Sequence, residues 1–494
     1  MAERIVLKTF RNEVDREYVG FSPNGSAIKP VHVAGGVLRC IDGSVTTSMG
    51  IKKMALVSDA KGVVPAGNEL DSVYQYLLER EAIDEGVPMS ALESLRNVMQ
   101  RLLSADKGVF VVKGLKDSML SYTAGSKHFI TRKAMYEDTG EFIGSLIREY
   151  CPTLANYIKS LLDKAQDPIT LLFEPVLESD ETAEVEGKPV DDIPAFKHQN
   201  DAVKWFVNGI RDGGNCLYEN FVHHPNPLTQ LRLFDFFCIF HILRYLTLLE
   251  AFYCGEVCRP ILLDFSGITP SQSSVARASE MSYTLMHKSI NRFYAWAFSK
   301  KLSVYSKQEL LALETPTYEE NKVPNAASQQ ELNALWNMAK ENAEACENED
   351  EIRILFGETM YDMLALEASS HPVNFLRALG TSSGVLYPPD KLHPSKRFVP
   401  SQDVLEMLLR SCVKPNEVLS STEIRERLWN HFGVIVGGSD FEFDKLRASN
   451  AFLQVDEDAL EDNFRSFAST LESMDFAEMM ADGILQIRLG GATE

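Results

Sequence analysis

The chain has 494 residues, 45% of them apolar, with 70 acidic against 49 basic side chains and a net charge of -21. That length and apolar content predict two to four globular domains and exclude a disordered chain. The charge argues against wholesale binding to nucleic acid or an anionic membrane, leaving only a local basic patch for such a contact.

In chain order, "MAERIVLKTFRNEVDREY" carries charges every few residues and no apolar stretch, so no signal peptide is expected. "RIVLKTF", "KPVHVAGGVLRC" and "KKMALVSDA" look like short strands separated by Gly, Asn-Gly and Asp-Gly turns, which predicts a small β-rich module over 1–68. Residues 69–177 show apolar residues at helical spacing, interrupted by "GVFVVKG" as one strand and broken at Pro152. The densely acidic 178–194 offers little apolar surface and is expected to be an exposed linker.

A helical core domain is expected over 195–380. Within it, Leu231 to Tyr253 is apolar enough to suggest a membrane span. Arg232, Asp235, His241, Arg244 and Glu250 would each be costly at bilayer depth, so a buried core helix is the expectation. Four prolines mark 381–400 as a second linker. The remaining 401–494 shows three helices, one of them with a Ser420–Glu423 capping box, and a trailing strand, which suggests a winged-helix-like docking domain. The expected fold class is therefore α+β and predominantly helical: a β-rich N-terminal module, a large helical middle and a C-terminal α/β module. Eight cysteines without tight pairing suggest a reducing compartment, the cytoplasm.

The P-loop, dinucleotide-binding, zincin and nucleophile-elbow signatures are all missing from the sequence, which argues against those enzyme classes. Cys238, His241, Cys254 and Cys258 have a spacing four tetrahedral metal ligands could use. A continuous helix would however hold Cys238 and Cys254 about 24 Å apart, so no metal and no cofactor is expected.

His223 and His224 precede a proline-bounded turn and could serve as a base or ligand, with Asp201, Asp212 or Glu219 as carboxylate company. The most suggestive stretch is "RPILLDFSGITPSQSSVARASE" (259–280). Asp264 and Ser266 would sit where a strand ends, in the position α/β proteins use for ligands. Thr269, Ser271 and Arg277 would surround a following helix N-terminus able to attract an anion, with Thr269 as N-cap and Pro270 in the first turn. Ser271, Ser274, Ala278 and Ser282 also form a small-residue stripe that close packing alone explains.

For nucleic acid, the basic cluster of Lys391, Lys396 and Arg397 is the best candidate, with Ser299 to Lys301 behind the long helix. The 401–494 segment, with eight basic against 18 acidic side chains, would repel DNA. These features favour a non-enzymatic interaction subunit of a cytoplasmic bacterial multi-protein assembly, with other protein subunits as partners. An accessory role beside an ATPase or nuclease in DNA processing or antiviral defence is compatible with that expectation. The alternatives are an enzyme acting on an anionic or phosphorylated substrate at Asp264 and Ser266, and a DNA-binding protein using 391–397.

Overall fold

A computed structural model describes residues 4–23, 28–47, 53–58, 66–103, 111–112, 137–163, 181–185, 189–255, 258–267, 269–319, 326–366, 371–390, 395–449, 455–480 and 485–489, with the single positions 168, 171, 187 and 393. The first run expected to be a strand is instead helix α1 (Leu7–Val14), continued by a π-helical turn over Asp15–Val19. Leu7, Phe10, Arg11 and Val14 turn inward, a helical spacing that the alternation of a few neighbouring residues disguises. The second run is helix α2 (Pro30–Asp42), with Pro30 in its first turn and Gly43 at a φ of +80° closing it. Of the third run, β2 (Val57–Ser58) does pair, with β3 (Val111–Val112). Strand β1 (Ser44–Thr47) finds its antiparallel partner in β4 (Glu181–Glu184), inside the acidic stretch read as a linker.

Helices α3 (Leu70–Leu78), α4 (Met89–Leu103), α5 (Glu137–Tyr150) and α6 (Pro152–Asp163) follow. Helix α5 crosses α2 at backbone contact. A side chain at Gly140 would put its Cβ 2.4 Å from the Val33 carbonyl oxygen, so only glycine permits the approach. Next come α7 (Asp201–Val222) and α8 (Pro227–Cys254). Asn226 caps α8 by accepting from the N–H groups of Leu228 and Thr229, Pro227 opens it, and Gly255 in the left-handed region ends it. Between these signals the helix is apolar on every side, and such a helix is stable only inside other structure. Among the described residues it is the one helix long and apolar enough to cross a membrane, and 89% of its most apolar window is buried within the protein.

Around α8 pack α2, α5, α7, α9 (Ser274–Lys301), α13 (Pro372–Ser382), α14 (Gln402–Arg410) and α15 (Ser421–Phe432), while α10 (Lys307–Ala312), α11 (Ala326–Ala345) and α12 (Glu349–Ala365) complete the far side of α9. Two of the charged side chains within α8 are anchored by neighbouring groups. Glu250 accepts from the Ser289 hydroxyl (2.6 Å) and from Arg292 Nη2 (3.0 Å), and Arg244 donates to the Arg259 carbonyl (2.6 Å). One apolar cluster runs from Ile5 to Leu489, and Phe432 packs edge-on against Phe237 and Phe240 of α8. The fold is predominantly helical, with 69% of the described residues in helix and 6% in strand.

The last stretch contains, after α14, strand β8 (Leu419–Ser420), α15, β9 (Val434–Ile435), α16 (Asp440–Ala448), α17 (Glu457–Ser473), β10 (Ala477–Met479) and β11 (Leu485–Ile487). Strand β11 lies between β10 and β8, antiparallel to both. Helix α15 carries the expected Ser420–Glu423 capping box; α16 carries a second one, Ser439–Glu442, that the sequence reading passed over. Strand β9 leaves this segment to pair, in parallel, with β5 (Ile261–Leu262). On the other side of β5, Leu263 bridges in parallel to Phe398 of β7 (Arg397–Phe398), whose hairpin partner is β6 (Leu386–Tyr387). Three short parallel strands are thus drawn from three distant parts of the chain.

Candidate functional site

The three parallel strands end together, and the stretch 263–267 forms the ridge where they stop. Asn463 of α17 ties that ridge to its neighbours: its amide nitrogen donates to the carbonyls of Leu263 and Val436 (both 2.9 Å), and its carbonyl accepts from the Phe265 N–H (2.7 Å). Glu442 does the same one strand over, accepting from the N–H groups of Val436 and Gly437 (both 3.0 Å). Helix α9 supports the strands from behind. Ser282 donates to the Pro260 carbonyl (2.5 Å) and Ser279 accepts from the Phe398 N–H (2.8 Å), which gives Ser282 of the small-residue stripe a structural task.

Asp264 lies at the strand end, as its sequence position suggests. Its Oδ1 accepts from the Ser266 N–H (2.9 Å) and hydroxyl (2.6 Å), and its Oδ2 pairs with Arg397 Nη1 at 2.6 Å. The Asp264 side chain is only 1% exposed, so the carboxylate is first of all an internal hub, although its residue also lines the larger cleft at the strand ends. Arg277, the partner suggested by spacing, is exposed and donates to the Pro270 carbonyl at 3.1 Å. Thr269 and Ser271 form an exposed turn, hydroxyl to hydroxyl at 3.1 Å. The helix behind them begins at Ser274 and not at Pro270, because Ser273 is the N-cap and accepts from the Ala276 N–H.

Of the basic cluster, Lys391 lies outside the described residues. Lys396 is 1% exposed and donates to the carbonyls of Pro388 and Asp390 (both 2.5 Å), and Arg397 holds Asp264. Both cations hold the 381–400 segment in place. Behind the long helix, Lys301 pairs with Glu13 (2.9 Å) and Glu17 (3.3 Å).

His223 is exposed at the end of α7, and His224 Nδ1 accepts from the Asn226 N–H (3.2 Å). Burial and the neighbouring Arg410 guanidinium lower the His224 pKa. Among the described residues, no hydrogen bond or ion pair joins either histidine to Asp264. Glu219 is paired with Lys414 (2.8 Å) and Asp201 with Lys204 (3.6 Å). Cys238 and His241 are buried in α8, Cys254 is exposed at its end and Cys258 is half-buried beyond it. Among the described residues no three His, Cys, Asp or Glu side chains are grouped to hold a metal ion.

Two clefts open at these elements. The larger, about 410 Å³, lies outside the strand ends. Phe265, Val399, Pro400, Leu405 and Met474 give it apolar walls, Asp264 and Gln402 also line it, and Thr470 and Ser473 of α17 stand on its edge. The smaller, about 270 Å³, is lined by Asp212, Cys216, Cys412, Lys414, Arg427 and His431, a combination the sequence did not point to because its members are scattered over three elements. It resembles a thiol–imidazole pair, with Cys412 Sγ 3.7 Å from His431 Nδ1. Yet that nitrogen lies 2.8 Å from the Ser411 carbonyl, which only accepts, so Nδ1 carries the proton and does not take one from the thiol. Burial also raises the Cys412 thiol well above its ordinary value. Nucleophilic activation needs the opposite of both. No family of known proteins matches the chain, and no curated protein does.

Proposed function

We propose that this protein is a non-enzymatic subunit of a cytoplasmic multi-protein assembly, and that its 401–489 segment is a winged-helix-like module used to dock another protein. The observation that carries the reading is the outward face of α17. The order α14, β8, α15, α17, β10, β11, with β8 against β11, is consistent with a winged helix carrying β9 and α16 as an insertion. Helix α17 then occupies the recognition position. Leu460, Phe464, Phe467 and Leu471 face the core, which leaves Glu457, Asp458, Glu461, Asp462 and Glu472 outward with Arg465. A DNA-reading helix gains affinity by neutralising phosphates, and this face would repel them. The internal engagement of Lys396 and Arg397 supports the same conclusion, since it occupies the cations an anionic substrate or a nucleic acid would meet.

The test is recovery of the tagged full-length chain from its native host, beside a variant with Glu461, Asp462 and Glu472 changed to Lys. A protein retained in stoichiometric amount by the wild type and lost by the variant is the expected result. Recovery of the wild type as a monomer alone overturns the reading.

A further inference from the structure

We propose that the 410 Å³ cleft beside α17 seats an apolar side chain from an extended segment of the partner, and that lysine or arginine residues flanking it lie along the acidic face of the helix. The inference rests on the docking reading and adds the seat and the chemistry of the occupant. The cleft's size suits one or two side chains, and Phe265, Val399, Pro400, Leu405 and Met474 give it apolar walls beside Gln402 and the Arg397-paired Asp264. Its edge offers acceptors. The Thr470 hydroxyl donates inward to the Ser466 carbonyl (2.8 Å) and the Ser473 hydroxyl to the Thr470 carbonyl (2.7 Å), so both present lone pairs outward.

The edge is also the C-terminal, negative end of the α17 dipole, and the last turn has no basic residue to offset it. Exposed Glu472 and Asp475 add full charges there. Cations on elements near the cleft are paired: Arg397 of β7 with Asp264 (2.6 Å), Arg410 of α14 with Glu406 (2.7 Å) and Arg232 of α8 with Asp403 of α14 (3.2 Å). A site with largely apolar walls, acceptors at its edge and exposed acidic side chains beside it is complementary to a basic, partly apolar peptide, and it disfavours an acidic peptide or a nucleic acid.

The test uses the full-length protein and three fluorescein-labelled probes followed by anisotropy: a twelve-residue peptide alternating leucine with pairs of lysine, the same peptide with glutamate for lysine, and a twenty-base-pair DNA duplex. Ser473→Lys fills the edge of the cleft from an exposed position, while Met338→Lys makes the same charge change on α11, where Met338 is exposed. We expect the lysine peptide to bind the wild type and Met338→Lys alike, and Ser473→Lys at least tenfold more weakly with an unchanged Tm. The glutamate peptide and the duplex should not bind. Equal binding by the two variants, no preference for the lysine peptide, or its displacement by the duplex overturns the inference. If Ser473→Lys still retains a partner from the native host, the cleft assignment falls and docking stands; if the wild type retains none, docking itself falls.

Discussion

At the residue scale the molecule's polar interior is organised by side chains that hold backbone, and the Asp264–Arg397 pair is the most exposed to test. Both members are nearly buried, 133 positions apart, and join the end of β5 to β7. Removing one partner of a buried pair strands the other, at about 3–5 kcal/mol, whereas replacing both by apolar groups is often nearly neutral. Asp264→Ala should therefore be strongly destabilising in urea denaturation, and Asp264→Ala/Arg397→Leu distinctly less so than Asp264→Ala alone. Simple additivity of the two single changes would show that the pair does not act as a unit. A different case is His241, enclosed by Phe206, Phe237 and Phe432, with no hydrogen-bond partner for either ring nitrogen among the described residues. Burial pushes its pKa down to about 3. The folded state thus keeps it neutral while the unfolded chain takes up a proton below about pH 6.5, so its contribution is full above that pH and is lost on acidification toward 3. His287 and His371, each pushed down to about 4 by burial, act in the same direction. His241→Leu should reduce the loss of stability between pH 7.5 and pH 5 by about 2 kcal/mol, read from denaturation curves at the two pH values. An unchanged difference would mean that His241 takes up a proton in the folded state as readily as in the unfolded one.

At the element scale, what the sequence discloses and what it hides divide along physical lines. The all-round apolar helix α8, the capped start of α15 and the two-faced α17 are written in local spacing, and each is found close to its expected place. Strands of two residues have no room for a period, so β5, β7 and β9 exist only because each satisfies another's backbone. The position of Asp264 could be read from the end of the "ILLD" run; its partner could not, because Arg277 is near in sequence and Arg397 only near in space. Asn463 carries no local signature, and the capping-box spacing of Ser439 and Glu442 marks only a helix start, not the strand N–H groups that Glu442 also holds. Glycines inside helices mislead in the same way, since they look like breaks and turn out to be contacts. A Cβ at Gly209 of α7 would lie 2.4 Å from the His431 carbonyl oxygen, at the end of α15. Alanine improves helix propensity by about 1 kcal/mol in an exposed position. Here the neighbour is backbone and cannot rotate away, so Gly209→Ala should lower stability by about 1–3 kcal/mol. A gain in Tm would show that α7 and α15 have slack between them.

At the scale of the whole molecule, the apolar cluster that continues from Ile5 to Leu489 makes the C-terminal stretch part of the same body that α8 organises. Phe432 fills space against α8, and β9 supplies the hydrogen-bonding edge of β5. A chain ending at Pro400 would expose both. It should fail to give a cooperative thermal transition and should be cleaved by protease throughout, where the full chain resists. A sharply melting, protease-resistant fragment would show that the first 400 residues are self-sufficient.

The parallel pairing of β5 with β9 also sets a timetable for the protein's birth. Strand β9 leaves the ribosome roughly 170 residues after β5, on the order of ten to thirty seconds later at ordinary elongation rates. Throughout that interval the growing chain carries the part of α8 that Phe432 covers, and the strand edge that β9 pairs, without those partners, which is the condition in which nascent proteins associate with one another or are held by chaperones. Synthesis of this protein should accordingly lose more product to aggregation when translation is slowed between codons 264 and 434 than when it is slowed over a stretch of equal length nearer the start, a difference that ribosome-paced expression of synonymous variants would reveal.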